Sequence, residues 1–189
     1  MPDAEALRQR LHRRGPSGMP VFSGRLFDRR YDIDGELAER REVLRVRRYK
    51  SNDGSVHDEL AWKGPTTVSP QGYKARPELE CRLGAGASIS DLLAALGYSP
   101  VHAVDRFVEV YAIEGATVRL EWYPECDTLV EVEGDADAIE RAIATLDIPR
   151  ETFTAEGLAA FTARFARRTG RPARVALHFP DEHPAHWPR

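Results

Sequence analysis

Residues 43–49 read Val-Leu-Arg-Val-Arg-Arg-Tyr, and the predicted fold is built outward from this segment. Apolar and charged residues alternate in it, which is typical of a β-strand with one buried face. Arg45 and Arg47 share one face of the predicted strand, while Leu44 and Val46 take the other. We therefore expect a sheet with one apolar face and one charged face.

The same signals recur on both sides of this stretch and predict an α+β protein with antiparallel strands. Alternation, β-branched residues and Gly or Asp turns predict strands at 21–27, 43–49, 59–63, 74–83, 104–113, 117–123 and 129–133. Apolar residues at helical spacing predict helices at 3–14, 88–96, 136–146 and 154–169. Short turns predicted at 52–54 and 114–116 favour antiparallel pairing.

Three further predicted strands place charged residues together on one face. These sets are Arg76, Glu78, Glu80 and Arg82; Arg119 and Glu121; and Glu131 and Glu133. One interpretation is a solvated sheet face of mixed charge. The other is a site in which carboxylates hold Mg²⁺ or Mn²⁺ and the arginines hold phosphate oxygens. If the sheet closes into a barrel, the charged face lines its interior.

Composition excludes several classes of protein. The 189 residues carry 27 Lys+Arg and 30 Asp+Glu, a formal net charge of −3, which argues against a generally basic nucleic-acid or membrane-surface protein. The charge is segregated, at +5 in residues 1–50 and −8 in residues 101–150. No apolar run is long enough to span a membrane, and we expect a cytoplasmic location. We expect one domain over 1–179 and a loose, proline-rich tail over 180–189.

Five short motifs resemble those of the CYTH family, the triphosphate tunnel proteins named for class IV adenylyl cyclases and thiamine triphosphatases. They occur in the family's order. Tyr31-Asp32 with 44–47 resembles "YfD…LRxR", 60–65 resembles "lTxKGP", 76–80 matches "RxExE", Leu120-Glu121 stands at "LD", and 130–133 matches "vEiE".

This resemblance implies a closed antiparallel β-barrel with flanking helices, whose lumen binds a triphosphate and Mg²⁺ or Mn²⁺. The implied phosphate-binding residues are Arg45, Arg47, Lys63, Arg76 and Arg106. The implied metal side comprises Glu78, Glu80, Glu121, Glu131 and Glu133. Relatives either cyclise ATP or hydrolyse inorganic, nucleoside or thiamine triphosphates. We therefore expect a metal-dependent enzyme acting on ATP, thiamine triphosphate or inorganic polyphosphate, with no particular catalytic residue assigned.

The sequence departs from the family pattern in two places. The family's first strand carries "ExExK", and we find no equivalent; residues 174–178 are a candidate replacement strand that brings no carboxylates. In the family's "KxRxxY" element, Arg106 stands at the lysine position and Val108 at the arginine position. A non-catalytic module that binds polyphosphate or nucleotides is therefore the alternative function.

Other candidate residues give weaker hypotheses. A C-terminal basic patch suggests nucleic-acid binding, although a solvated face is the commoner meaning of such a pattern; it contains Arg164, Arg167, Arg168, Arg171 and Arg174. Cys81 is expected in the core rather than at a reactive site, and His102 near a turn. The resemblance leaves a homodimer open.

Overall fold

The structure of the chain is a computed structural model that describes residues 4–14, 18–70, 72–84, 88–178 and 182–188. Its internal contacts divide it into two compact units. Unit A comprises Gly24–Arg106 and Val175–Glu182. Unit B comprises Met1–Ser23, Phe107–Arg174 and His183–Arg189.

The described residues form nine strands and five α-helices. The strands are β1 (Phe22–Asp32), β2 (Val43–Ser51), β3 (Val56–Lys63), β4 (Thr67–Val68), β5 (Lys74–Ala75), β6 (Glu78–Arg82), β7 (Ser99–Ile113), β8 (Ala116–Trp122) and β9 (Leu129–Glu133). The helices are α1 (Ala4–His12), α2 (Glu36–Glu39), α3 (Ile89–Ala95), α4 (Ala136–Leu146) and α5 (Leu158–Thr169). This α+β architecture confirms the predicted class.

Seven of the strands form one sheet in the order β6-β3-β2-β1-β7-β8-β9, and β4 and β5 form a separate hairpin. The pairings of β2 with β1, of β3 with β2 and of β6 with β3 are all antiparallel, as are those of β8 with its two neighbours. The long strand β7 contributes its first part to unit A and its last part to unit B. The predicted antiparallel sheet with flanking helices is thus confirmed.

The core of unit A lies on the apolar face of the sheet. Tyr31, Val46 and Leu93 are buried there, and partly buried apolar residues of β2, β3 and α3 pack against them. Burying one such side chain contributes about 1.5–3 kcal/mol to folding. Because strand residues alternate between faces, packing this side against α3 turns Arg45 and Arg47 to the opposite face.

The core of unit B forms between its sheet strands and the helices α1 and α4. Tyr111, Val118 and Leu120 of the strands are almost fully buried, as are Leu7 and Leu11 of α1 and Ile143 of α4. The buried carboxylate of Glu109 accepts hydrogen bonds from Arg8 Nε at 2.9 Å and from the Tyr111 hydroxyl at 2.6 Å. Burial and the neighbouring Glu109 raise the pKa of Tyr111.

Several predicted strands have different bounds in the structure; β3 begins three residues earlier than predicted, at Val56, and β7 begins five residues earlier, at Ser99. The strand predicted at 21–27 continues to Asp32, five residues further. The strand predicted at 74–83 is divided into β5 and β6, because Pro77 has no N–H to donate and instead accepts a hydrogen bond from Gly64 N at 2.8 Å.

The C-terminal region also differs from expectation where it is described. Residues 174–178 form no strand, and Arg174 makes only an isolated bridge to Glu125. In the tail expected to be loose, the side chain of Trp187 is buried and donates a hydrogen bond to Tyr123 O at 3.2 Å. Among the described residues, no helix has the length and apolar character needed to cross a bilayer.

Candidate functional site

The charged face of unit A, here called the arginine face, is assembled by the strand register. Arg47 lies opposite Asp28 of β1 and opposite Glu59 of β3, and Arg45 lies opposite Arg30 and Ala61. The same alternation adds further residues from β3, β6 and β7 to this face: Lys63, Glu78, Glu80, Arg82, His102 and Arg106. Five cations of β1, β2, β3 and β7 therefore share one side of the sheet.

A buried ion-pair network holds the centre of the arginine face. Arg47 donates to both carboxylate oxygens of Asp28, from Nε at 2.6 Å and from Nη2 at 2.8 Å, and Arg106 Nη1 donates to Asp28 Oδ2 at 3.1 Å. All three residues are less than 9% exposed. Although burial opposes the charged carboxylate, the hydrogen bond from Arg47 and the charges of Arg106 and Arg47 hold the pKa of Asp28 well below its usual value.

Arg45 is buried with part of its hydrogen-bonding capacity unused. Its Nη2 contacts Glu59 Oε1 and Glu80 Oε1, each at 3.2 Å. Its Nε is buried, and no described residue accepts a hydrogen bond from it. Arg30 stands directly opposite on β1, an arrangement of like charges that is destabilising in a sheet unless an anion compensates it.

Arg76 adds further unsatisfied donors beside Arg45. Its Nε and Nη2 are buried, and the described residues offer neither atom an acceptor. Desolvation and the charge of Arg45 lower the pKa of Arg76, despite the opposing effect of Glu78. Desolvation together with Arg45, Arg76 and Arg106 also lowers the pKa of Arg30, which means that these cations repel one another.

At the β6 side of the face, two predicted metal ligands are paired with cations. Lys63 Nζ forms an ion pair with Glu78 and lies 3.8 Å from Glu80 Oε1. The next residue, Gly64, is packed so closely that a Cβ atom there would lie 2.8 Å from Pro77 Cγ. The Lys-Gly-Pro element therefore fixes β3 against the segment that carries Arg76 and Glu78.

Unit B carries the other predicted residues on what we call the glutamate face: Arg119, Glu121, Glu131 and Glu133. Arg119 Nη1 contacts Glu131 Oε2 at 3.3 Å and also pairs with Glu133. Although burial opposes its charged form, these two carboxylates raise the pKa of Arg119. Glu121 is buried and accepts a hydrogen bond from the Tyr123 hydroxyl.

The donor set suits Mg²⁺ or Mn²⁺ by type, since these ions prefer carboxylate oxygens. Its arrangement fits less well. Among the described residues, no three His, Cys, Asp or Glu side chains are grouped so that they could hold a metal ion. Glu131 and Glu133 converge on the guanidinium of Arg119. The five glutamates remain predicted ligands on grounds of chemistry and sequence.

Three residues of the arginine face were not predicted from the sequence to lie on it. Asp28 and Arg30 lie in the part of β1 beyond the predicted strand end, and His102 lies within β7 rather than near a turn. Loss of solvent contact and the charge of Arg30 lower the pKa of His102. The signal for the first two was the spacing of Leu26, Asp28 and Arg30 at every second position, which continues the strand period.

The structure does not bear out the predicted surroundings of Cys81, and it shows most arginines of the C-terminal basic patch in ion pairs. Four of the five arginines form ion pairs in unit B: Arg164 with Glu156, Arg168 with Asp127, and Arg171 and Arg174 with Glu125. This pairing neutralises much of the patch and weakens the nucleic-acid hypothesis. Cys81 was expected in the core, but it is exposed on β6.

The fold is an antiparallel sheet with flanking helices, and each of the two units carries its own charged face. No protein-family model matches the sequence. No curated protein matches it either.

Solved structures share this fold. One is the PH1819 protein of Pyrococcus horikoshii, with 21% identity, a TM-score of 0.58, and 76% of this chain and 81% of that chain covered. A candidate adenylyl cyclase from Hippeastrum, described as having a dominant triphosphatase activity, is 19% identical over 94% of both chains, with a TM-score of 0.56. A candidate adenylate cyclase from Vibrio parahaemolyticus is 15% identical, with a TM-score of 0.56, and 77% of this chain and 79% of that chain are covered.

At these identities the similarity establishes the fold. The similarity to the two candidate cyclases agrees with the fold that the CYTH resemblance implies, and it concerns the fold alone.

Proposed function

We propose that the arginine face of unit A binds the phosphate chain of a small triphosphate, and that the protein acts on that triphosphate as a hydrolase or a cyclase. The observation that carries this proposal is the set of unsatisfied guanidinium donors, Arg45 Nε with Arg76 Nε and Nη2. Buried donors without acceptors cost free energy, so these N–H groups favour the binding of a ligand that supplies acceptor oxygens. Phosphate oxygens match the forked geometry of guanidinium groups.

The spread of the cations favours a chain of phosphates over a single anion. Arg30, Arg45 and Lys63 lie on three neighbouring strands, which are spaced about 4.8 Å apart in a sheet. Arg47 and Arg106 both donate hydrogen bonds to Asp28, and these bonds fix their guanidinium groups on the same face as the unsatisfied donors of Arg45. Phosphoryl and nucleotidyl transfer depend mainly on such positioning and charge neutralisation, and need no protein nucleophile.

The comparison proteins support this choice of ligand. One structure of the same fold is described as having a dominant triphosphatase activity and is named as a candidate adenylyl cyclase. Hydrolysis and cyclisation begin from the same bound triphosphate and differ in whether water or a ribose hydroxyl attacks a phosphorus atom. We propose ATP, thiamine triphosphate or inorganic tripolyphosphate as the substrate class.

We also propose that Mg²⁺ or Mn²⁺ is required, with the candidate ligands being the five predicted glutamates. A divalent ion supplies charge neutralisation to a phosphate chain, and Mg²⁺ is commonly held by only one or two carboxylates together with substrate oxygens. The chain's own residues would bind and orient the phosphates through the guanidinium groups of Arg45 and Arg76. We further propose that the protein is cytoplasmic.

The experiment is a turnover assay on the purified chain with ATP, thiamine triphosphate and inorganic tripolyphosphate, each with Mg²⁺ and with Mn²⁺. We expect release of phosphate or pyrophosphate that EDTA abolishes and that Arg45→Met strongly reduces. Arg48→Met is the matched control, because Arg48 lies on the opposite face of the same strand and pairs with Asp58. The proposal of an enzyme is lost if no triphosphate turns over with either metal.

A second candidate is a binding module without turnover. It is favoured by one observation, the pairing of Glu78, Glu131 and Glu133 with Lys63 and Arg119. This alternative predicts that tripolyphosphate raises the melting temperature of the chain but is not consumed. The same Arg45→Met and Arg48→Met pair separates specific phosphate binding from general salt effects.

A further inference from the structure

Strand β6 forms one end of the sheet and presents an unpaired edge. Gly64 N donates to Pro77 O and Leu83 N donates to Asp58 O, so the backbone groups of 77, 79, 81 and 83 point towards β3. The N–H and C=O groups of Glu78, Glu80 and Arg82 consequently point away from the sheet. Within the described part of the chain, no hydrogen-bond partner is seen for them.

The side chains of this edge are exposed on both faces. All five residues of β6 are exposed, and Leu79 is 69% exposed. Leu79 and Cys81 also border a shallow groove of about 210 Å³, together with Leu44, Leu60 and Trp62. Exposed strand edges beside apolar surface attract another strand unless they are protected.

We propose that a second copy of this chain pairs with this edge, the two β6 strands running antiparallel about a two-fold axis at Cys81. In this register Glu80 of each copy lies opposite Arg82 of the other, on the charged face. On the apolar face, Cys81 lies opposite Cys81, and Leu79 lies opposite Leu83. Both faces are therefore complementary in a single register, as an isologous interface requires.

Neighbouring registers lack this complementarity. Outward backbone groups pair only with outward groups, and a two-fold axis at any other residue of β6 also satisfies this condition. An axis at Glu78, Glu80 or Arg82 places that residue opposite its own copy, and an axis at Leu79 places Glu78 opposite Glu80. The axis at Glu80 also sets Glu78 opposite Arg82, but it keeps the contact between the two Glu80 side chains. Like charges directly opposite are destabilising, so the axis at Cys81 is favoured.

The strand at the opposite end of the sheet, β9, is not complementary in charge to a second copy of itself. Strand β9 reads Leu-Val-Glu-Val-Glu, and its only charged residues are Glu131 and Glu133. Self-pairing of β9 in antiparallel fashion would therefore bring no opposite charges together. The interface is assigned to β6 for this reason, and it does not depend on the proposed activity.

Oxidative cross-linking tests the register directly. Cys81 would form a non-hydrogen-bonded cross-strand pair, in which the Cα atoms are about 4.5 Å apart, within the range of disulfides. A Cys126→Ser chain retains only Cys81. Mild oxidation should convert it to a covalent dimer, whereas Val68→Cys in a Cys81→Ser, Cys126→Ser chain should give no covalent dimer under the same conditions. Val68 is 66% exposed, so it controls for random collision.

Charge reversal provides the second arm, read by sedimentation velocity without oxidation. Arg82→Glu should weaken dimerisation at least about tenfold, because it places glutamate opposite glutamate. The double variant Glu80→Arg, Arg82→Glu should restore it, since the charges are then exchanged across the axis. The proposal is overturned if the unmodified chain stays monomeric at high micromolar concentration, if Val68→Cys cross-links equally, or if Arg82→Glu leaves the dimer unchanged.

Discussion

The arginine face of unit A and the glutamate face of unit B carry similar kinds of side chain but satisfy them differently. On the glutamate face, Arg119 pairs with both Glu131 and Glu133, so its one cation is satisfied while the face keeps a net negative charge. On the arginine face, Arg30 lies opposite Arg45, and buried N–H groups of Arg45 and Arg76 find no acceptor among the described residues. The one arginine of the glutamate face finds its partners within that face, whereas the arginine face leaves buried N–H groups without an acceptor among the described residues.

The sequence predicted both phosphate binding and metal binding, and the two faces support these predictions to different degrees. Phosphate binding is supported by unsatisfied donors, whereas metal binding is supported by the type of residue and the resemblance. Asp28 explains how the arginine face tolerates its charge, because it accepts hydrogen bonds from both Arg47 and Arg106. The buried carboxylate of Asp28 stabilises the charges of Arg47 and Arg106, but it does not accept hydrogen bonds from Arg45 or Arg76.

Removing Asp28 should have the largest effect on stability, because its carboxylate is the shared partner of Arg47 and Arg106. Asp28→Ala leaves Arg47 and Arg106 as buried cations without their acceptor, and we expect a loss of about 3–5 kcal/mol in the free energy of unfolding. Chemical denaturation measures it. Asp58→Ala, which removes the partner of the exposed Arg48, should cost less than about 1 kcal/mol. Equal losses in the two variants would contradict the role given to Asp28.

Arg45→Met should be the next largest effect, and it acts on function. We expect turnover of the preferred triphosphate to fall about 100-fold, the range seen when one preorganised donor is removed from a transition state. Initial-rate assays at saturating substrate measure it. Because Arg48 lies on the opposite face of β2, Arg48→Met should retain the wild-type rate. A similar fall in both variants would point to a general charge effect.

How much the sequence could predict is clear from these same residues. Alternation is a local property, so it correctly placed Arg45 with Arg47 on one face and Glu131 with Glu133 on one face. It missed Asp28 and Arg30, because residues 28–30 are all charged and their alternation between the two faces is therefore hard to see. In the structure, pairing with β2 continues β1 through these residues. Whether a guanidinium finds an acceptor depends on residues distant in sequence, so the unsatisfied donors of Arg45 and Arg76 could not be foreseen.

The stability of the chain should depend on acid through Asp28 of the arginine face. The folded-state pKa of Asp28 is depressed, so its contribution is fully present above the ordinary aspartate pKa of about 3.9 and is lost as the pH falls below it. We expect the wild-type chain to lose on the order of 2 kcal/mol more than Asp28→Asn between pH 5 and pH 2. Urea unfolding at several pH values measures this difference. Parallel curves for the two chains would show that Asp28 does not titrate with folding.

Glu133→Gln should have the smallest effect on stability and tests the glutamate face. The side chain of Glu133 is 53% exposed, and Arg119 keeps Glu131 as a partner, so the free energy of unfolding should change by less than about 1 kcal/mol. A raised Mg²⁺ or Mn²⁺ requirement in this variant, with the fold intact, would assign the glutamate to metal binding. An unchanged metal requirement would assign it to pairing with Arg119, and the function would then rest on the arginine face.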